Sequence, residues 1–239
     1  MTFILNGGGN AEQTSAIDSV LAQELPRRTM LYIPHATAPE PWSYDRALAW
    51  LKNHKPFGGL EISMWTELDE RKYSELDDFD TIYLMGGNTF LLLSILRKSG
   101  FDILLEKFAA SKRVICGISA GAIVLGQSIG TAALGSEADE NTIGIMDLAG
   151  LKMLGDLHIH THYTDEDSAD IVRYVQDNGR GTRVMCIPED SGVVATDLEY
   201  QVVGQSGITI YTDGEQRNLK PGSTFPSDTG TRSTSHGKP

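Results

Sequence analysis

A chain of 239 residues, 40% hydrophobic and 22% charged, has room for one well-cored α/β domain and is short for two. Its formal net charge of -12 argues against a nucleic-acid partner, which calls for a basic face, and solubility alone accounts for the acidity. No apolar run reaches the length of a membrane span, no basic and apolar leader opens the chain, and two cysteines, Cys116 and Cys186, make no disulfide framework. These features predict a cytoplasmic protein with no membrane partner.

Strands and helices alternate from the start. Thr2-Phe3-Ile4-Leu5 reads as a strand running into Gly7-Gly8-Gly9, and Ile17, Val20, Leu21 and Leu25 then share one face of a helix. Met30 to Ile33 is a second strand, stopped by Pro34. Tyr44, Ala47, Leu48 and Leu51 have helical spacing. Leu60 to Met64 and Thr81 to Met85 are further strands, the latter entering Gly86-Gly87-Asn88. Helical segments follow at Phe90 to Lys98 and Asp102 to Ala110, then the short apolar run Arg113 to Cys116. Such alternation predicts right-handed βαβ units and a parallel sheet covered on both faces.

Residues Gly117-Ile118-Ser119-Ala120-Gly121 fit a G-x-S-x-G nucleophile elbow, with a strand before it and Ala122 to Leu125 opening a helix after it. That turn exposes the Ser119 hydroxyl, and its alternative reading is a glycine-bounded corner with a chance serine. The Ala120 N–H and a donor from the Gly86-Gly87 turn are candidates for an oxyanion hole. Gly7-Gly8-Gly9 matches no dinucleotide fingerprint, and no Walker lysine follows any glycine turn, so no nucleotide cofactor is expected.

A base for Ser119 is sought among six histidines. His35 and His54 lie in loop or helix-end settings and His236 in the C-terminal tail, whereas His158, His160 and His162 alternate along one strand-like segment. Period two would place all three on one face, where Asp165 or Asp167 could complete a Zn²⁺ or Fe²⁺ site. A metal-dependent hydrolase is therefore one alternative, and structural histidines are another. Glu137, Asp139, Glu140, Asp147 and Asp156 all lie between the elbow and His162, and composition does not choose an orienting acid among them. Beyond them, Val184 to Ile187, Gly192 to Ala195, Tyr200 to Val203 and Gly207 to Tyr211 read as short antiparallel strands added at one sheet edge. Residues 221–239, nearly free of apolar side chains, read as a disordered tail behind a single domain of residues 1–220. Cys116, one step inside a strand, reads as a core thiol.

Taken together, Tyr83-Leu84-Met85-Gly86-Gly87-Asn88-Thr89-Phe90, Gly117-Ile118-Ser119-Ala120-Gly121-Ala122 and His162-Tyr163 resemble the peptidase E family of serine peptidases. Its members include aspartyl dipeptidases, and cyanophycinases are relatives. The similarity spans roughly the first 210 residues, including the opening glycine turn and Ile187-Pro188-Glu189-Asp190-Ser191. The resemblance implies a class I glutamine amidotransferase-like α/β fold: a doubly wound, mostly parallel sheet with helices on both faces and antiparallel edge strands near the C-terminus. It implies Ser119 as nucleophile, His162 as base, Gly87 and Ala120 as oxyanion donors, and Asn88 and Thr89 as substrate contacts. The third triad member is then an acid shortly after the serine, Glu137 first and Asp139 second. No cofactor or metal is implied, and the partners are a short peptide and, at most, a second copy in a homodimer.

One departure bears on specificity. Relatives often follow the histidine with arginines that hold an acidic substrate side chain. Here Asp165, Glu166 and Asp167 follow, and the first arginine is Arg173. Strict aspartyl specificity is thus not expected, and short peptides with neutral or basic residues are. A binding or sensor module that keeps the elbow without turnover is the remaining alternative.

Overall fold

The computed structural model describes residues 1–37 and 41–227. His236 and the tail from residue 228 lie outside the described residues. Twelve strands are present among them: β1 (Thr2–Asn6), β2 (Thr29–Ile33), β3 (Glu61–Met64), β4 (Thr81–Leu84), β5 (Val114–Ile118), β6 (Leu157–Thr161), β7 (Arg183–Ile187), β8 (Ser191–Thr196), β9 (Glu199–Gly204), β10 (Ile208–Thr212), β11 (Glu215–Leu219) and β12 (Thr224–Pro226). The α-helices among the described residues are α1 (Ala11–Gln23), α2 (Pro41–Asn53), α3 (Thr89–Lys98), α4 (Phe101–Ala110), α5 (Ala120–Ile123) and α6 (Ser168–Asn178).

The main sheet has eight strands in the order β12-β9-β8-β1-β5-β4-β2-β3. β1, β5, β4, β2 and β3 are mutually parallel, and β8, β9 and β12 continue the sheet antiparallel from β1. The parallel strands are apolar almost throughout because both faces are covered. On one face Ile4, Met30, Tyr32, Tyr83 and Cys116 pack with Ile17 and Leu21 of α1 and Leu51 of α2. On the other, Leu5, Leu31, Leu84 and Ile115 pack with α3, α4 and α5 through Leu92, Leu93, Phe101, Phe108 and Ala122. Burial of each large apolar side chain contributes about 1.5–3 kcal/mol, so this two-sided packing holds the strand ends in place.

The last third differs from the expectation of one edge extension. Only β8, β9 and β12 extend the main sheet, whereas β11, β10, β7 and β6 form a separate four-stranded sheet in that order. Its Ile159, Met185 and Ile187 join the core on the α3–α5 side. Two elements fall where no periodicity pointed. In α6 only Ile171 and Val175 are buried, too thin a stripe to stand out in an otherwise polar segment. β11 is polar and exposed except at Leu219, and it exists through its hairpin pairing with β10 across Asp213-Gly214. β12 lies in residues assigned to the tail, and it pairs with β9 while Phe225 stacks on Tyr200. Among the described residues no helix is long and apolar enough to cross a membrane.

Candidate active site

At the carboxyl end of β5 the chain turns sharply into α5, and Ser119 occupies the corner with φ 50° and ψ -116°. A non-glycine residue at such angles is strained, and the surroundings hold it there. Its N–H donates to the Asn6 carbonyl at 3.0 Å, and its own carbonyl accepts from the N–H groups of Ala122 and Ile123 at 2.8 and 3.0 Å. A Cβ on Gly117 would strike the Gly121 carbonyl, and one on Gly121 would strike that of Leu84. The elbow glycines are therefore required by close backbone approach.

His162 comes to Ser119 from the second sheet. β6 ends at Thr161, and His162 adopts φ 55°, which turns its side chain out of the β6 alternation. Its N–H donates to the Gly7 carbonyl at 3.0 Å, joining the two sheets at the glycine turn. The ring then bridges two groups: Nε2 lies 2.8 Å from Ser119 Oγ, and Nδ1 lies 3.1 Å from Glu189 Oε1. A carboxylate there can only accept, so Nδ1 carries the hydrogen and Nε2 offers its lone pair to the serine hydroxyl. This hydrogen bond from His162 holds the Glu189 carboxyl below the usual range.

Glu189 is itself anchored. Gln13 donates from Nε2 to Glu189 Oε2 at 3.0 Å, while its Oε1 accepts the Asn10 N–H at 2.9 Å to close the capping box of α1. The glycine turn sets the fit: a Cβ on Gly8, whose φ is 114°, would lie 2.8 Å from both ring nitrogens of His162. Gly8→Ala is therefore expected to push the ring off Ser119 and lower kcat about 10²-fold on any turned-over peptide. A kcat within threefold of wild type would show that the ring does not need this space.

The acid beside His162 is thus Glu189, in place of the expected Glu137 or Asp139. Glu137 is exposed on the cavity wall, and Asp139 accepts the Thr89 N–H at 2.8 Å. Asn88 caps α3 by accepting the Leu91 N–H at 2.9 Å, and its Nδ2 donates to the Glu140 carbonyl at 2.8 Å. Asn88 and Thr89 therefore fasten the 139–140 loop, a structural task where substrate contact was expected. Gly87 lines the same cavity as Ser119, and Ala120 opens α5, where the first N–H groups have no partner within the helix.

The histidine triplet does not assemble a metal site. His158 Nδ1 meets the Tyr174 hydroxyl at 3.0 Å, His160 Nδ1 meets the Thr131 carbonyl at 3.2 Å, and His162 turns to Ser119. Among the described residues no three His, Cys, Asp or Glu side chains are grouped to hold a cation. Burial lowers the pKa of His158 and His160 and raises the Cys116 and Cys186 thiols well above their ordinary range, so neither thiol is an activated nucleophile.

A cavity of about 220 Å³ opens beside Ser119 and His162. Among the described residues its wall carries the carboxylates Glu137, Asp139 and Asp167 and no lysine or arginine. Arg173, the first arginine after His162, is exposed on α6 and pairs with Asp170 at 3.7 Å.

Comparisons with known proteins place the chain in a family and give its fold neighbours. The model of peptidase family S51 matches residues 3–203. The uncharacterized peptidase Lin0382 of Listeria innocua is 41% identical over 71 residues, 29% of this chain and 34% of that protein. The uncharacterized peptidase Lmo0363 of Listeria monocytogenes is 36% identical over 105 residues, 43% of this chain and 50% of that protein. The matched stretches thus span between a third and a half of these relatives' lengths. Among solved structures, a peptidase from an acI-B1 Actinobacterium superposes with TM-score 0.73 at 18% identity, covering 94% of this chain and 96% of its own. A peptidase E structure from Listeria monocytogenes EGD-e gives TM-score 0.60 at 18% identity, covering 92% and 98%. Those two likenesses establish the shared fold, and the family match over most of the chain establishes the lineage: this protein belongs to peptidase family S51, the peptidase E-like peptidases.

Proposed function

We propose that this protein is a serine peptidase that cleaves short peptides through an acyl-enzyme on Ser119. The observation that carries the reading is the line Ser119–His162–Glu189, with contacts of 2.8 and 3.1 Å. His162 Nε2 takes the hydroxyl proton as Ser119 Oγ attacks the scissile carbonyl, and Glu189 steadies the imidazolium that forms. The N–H groups of Gly87 and Ala120 receive the oxyanion. Collapse of the tetrahedral intermediate breaks the C–N bond, and His162 returns its proton to the leaving amine. Water, deprotonated by the same ring, then releases the acid and restores Ser119.

The membership in a peptidase family supports this reaction class, and the small cavity supports a short substrate. The test is hydrolysis of a dipeptide panel, followed by release of free amine. Turnover is expected to continue in EDTA and to stop after treatment with a fluorophosphonate. Loss of turnover in EDTA, restored by Zn²⁺, would overturn the serine mechanism in favour of a metal-dependent one.

A further inference from the structure

We propose that the cavity beside Ser119 receives the side chain of the residue whose carbonyl is attacked, and that this side chain is cationic, the ammonium of lysine or the guanidinium of arginine. The proposal rests on the peptidase reading above and names its substrate class.

At about 220 Å³ the cavity is smaller than the ~300–1,000 Å³ of sites that enclose a drug-sized ligand, so it suits a single side chain. Its deepest polar groups are Asp167 and His160, with side chains 3% and 5% exposed. The Asp167 carboxylate accepts the Thr164 N–H at 2.8 Å and the Ser136 N–H at 3.1 Å, both from the backbone. Its neighbour among side chains able to carry positive charge is His160, with Nε2 3.8 Å from Oδ2.

His160 points to a donor-bearing ligand. Its Nδ1 faces the Thr131 carbonyl, which can only accept, so the hydrogen sits on Nδ1 and the neutral ring has its lone pair on Nε2. Burial favours that neutral form. Nε2 is buried with no hydrogen-bond partner, an acceptor left unmatched beside a carboxylate. One ammonium set between them can donate to both at ~2.9 Å. Nearer the mouth, Glu137 and Asp139 add negative charge to the same wall. Among the described residues of this wall, an acidic substrate side chain would find acceptors and no lysine or arginine.

The test measures kcat/KM for Lys-Leu, Arg-Leu, Leu-Leu and Asp-Leu, together with calorimetric binding of the same dipeptides to Ser119→Ala. Lys-Leu and Arg-Leu are expected to exceed Leu-Leu and Asp-Leu at least tenfold in both measurements. Asp167→Asn is expected to shrink the Lys-Leu to Leu-Leu ratio at least fivefold, chiefly through KM. Because Asp167 also ties Ser136 to Thr164, the Ser119→Ala binding arm tests the site with its Asp167 and His160 groups unaltered. Serine-dependent turnover with Leu-Leu or Asp-Leu equal to or above Lys-Leu would overturn the cationic assignment and leave the peptidase reading standing. Selective binding of Lys-Leu to Ser119→Ala, with no peptide turned over by the wild type, would uphold the cationic site and defeat the peptidase reading. Equal Lys-Leu and Leu-Leu rates, with Nα-acetyl-lysine p-nitroanilide uncleaved, would place the recognised charge on the α-ammonium and overturn the proposal.

Discussion

Ser119→Ala is expected to lower kcat/KM by about 10⁴–10⁶-fold, the scale seen when a serine nucleophile is removed from an intact site. The oxyanion donors and the substrate cavity survive the change, so a residue of catalysis over the uncatalysed reaction remains. The fold survives as well. The Ser119 hydroxyl has its hydrogen bond with His162, while the backbone that makes the corner is held by Asn6, Ala122 and Ile123. Alanine occupies the same strained φ with a smaller side chain, so the melting temperature is expected to shift by no more than ~2–4 °C. Circular dichroism and dipeptide hydrolysis on the same preparation check both halves. Retention of activity within tenfold of wild type would remove Ser119 from the chemistry.

Glu189→Gln is expected to cost about 10³–10⁴-fold in kcat, with little change in KM. The glutamine amide matches the carboxylate in shape but has both a donor and an acceptor. Its NH₂ group can face Nδ1 and select the tautomer with hydrogen on Nε2, which leaves no lone pair for the serine proton. The developing imidazolium also loses its counter-charge. Glu137→Gln, on the exposed wall of the cavity, is expected to change kcat by less than about tenfold. Steady-state kinetics of the two variants side by side separate the carboxylates. A large kcat loss for Glu137→Gln with a small one for Glu189→Gln would reverse the assignment.

The difference between these two acids shows how far the sequence carries. The elbow was legible because all its determinants are local: a strand, two glycines, a serine and a helix start lie within a dozen residues. The parallel half of the sheet was legible for the same reason, since each apolar run announces its own burial. Glu189 was not, because its role depends on pairing between distant segments. β6 and β7 run parallel with Thr161 opposite Ile187, which brings Glu189, two residues past the end of β7, alongside His162. The family resemblance favoured an acid shortly after Ser119, Glu137 first and Asp139 second, and residues 139 and 140 are instead tied to Thr89 and Asn88. A usable signal was present in the order apolar strand, proline, acid at 184–189, a carboxylate at a strand end, where open sheets collect their ligands. Gly8 carried a similar hidden meaning. A glycine turn after a strand reads as a tight corner, and only the packed structure reveals the imidazole that fills the missing Cβ position. The histidine triplet misled in the opposite sense: period two suggested three rings on one face, but the positive φ of His162 takes it off the strand.

The most direct test of the central claim is covalent labelling by a fluorophosphonate with the adduct mapped by peptide mass spectrometry. One adduct per chain on the peptide bearing Ser119 is expected, undiminished by EDTA, absent in Ser119→Ala and strongly slowed in Glu189→Gln. Efficient peptide hydrolysis by a protein that takes no adduct at Ser119, or takes it on another residue, would contradict the account.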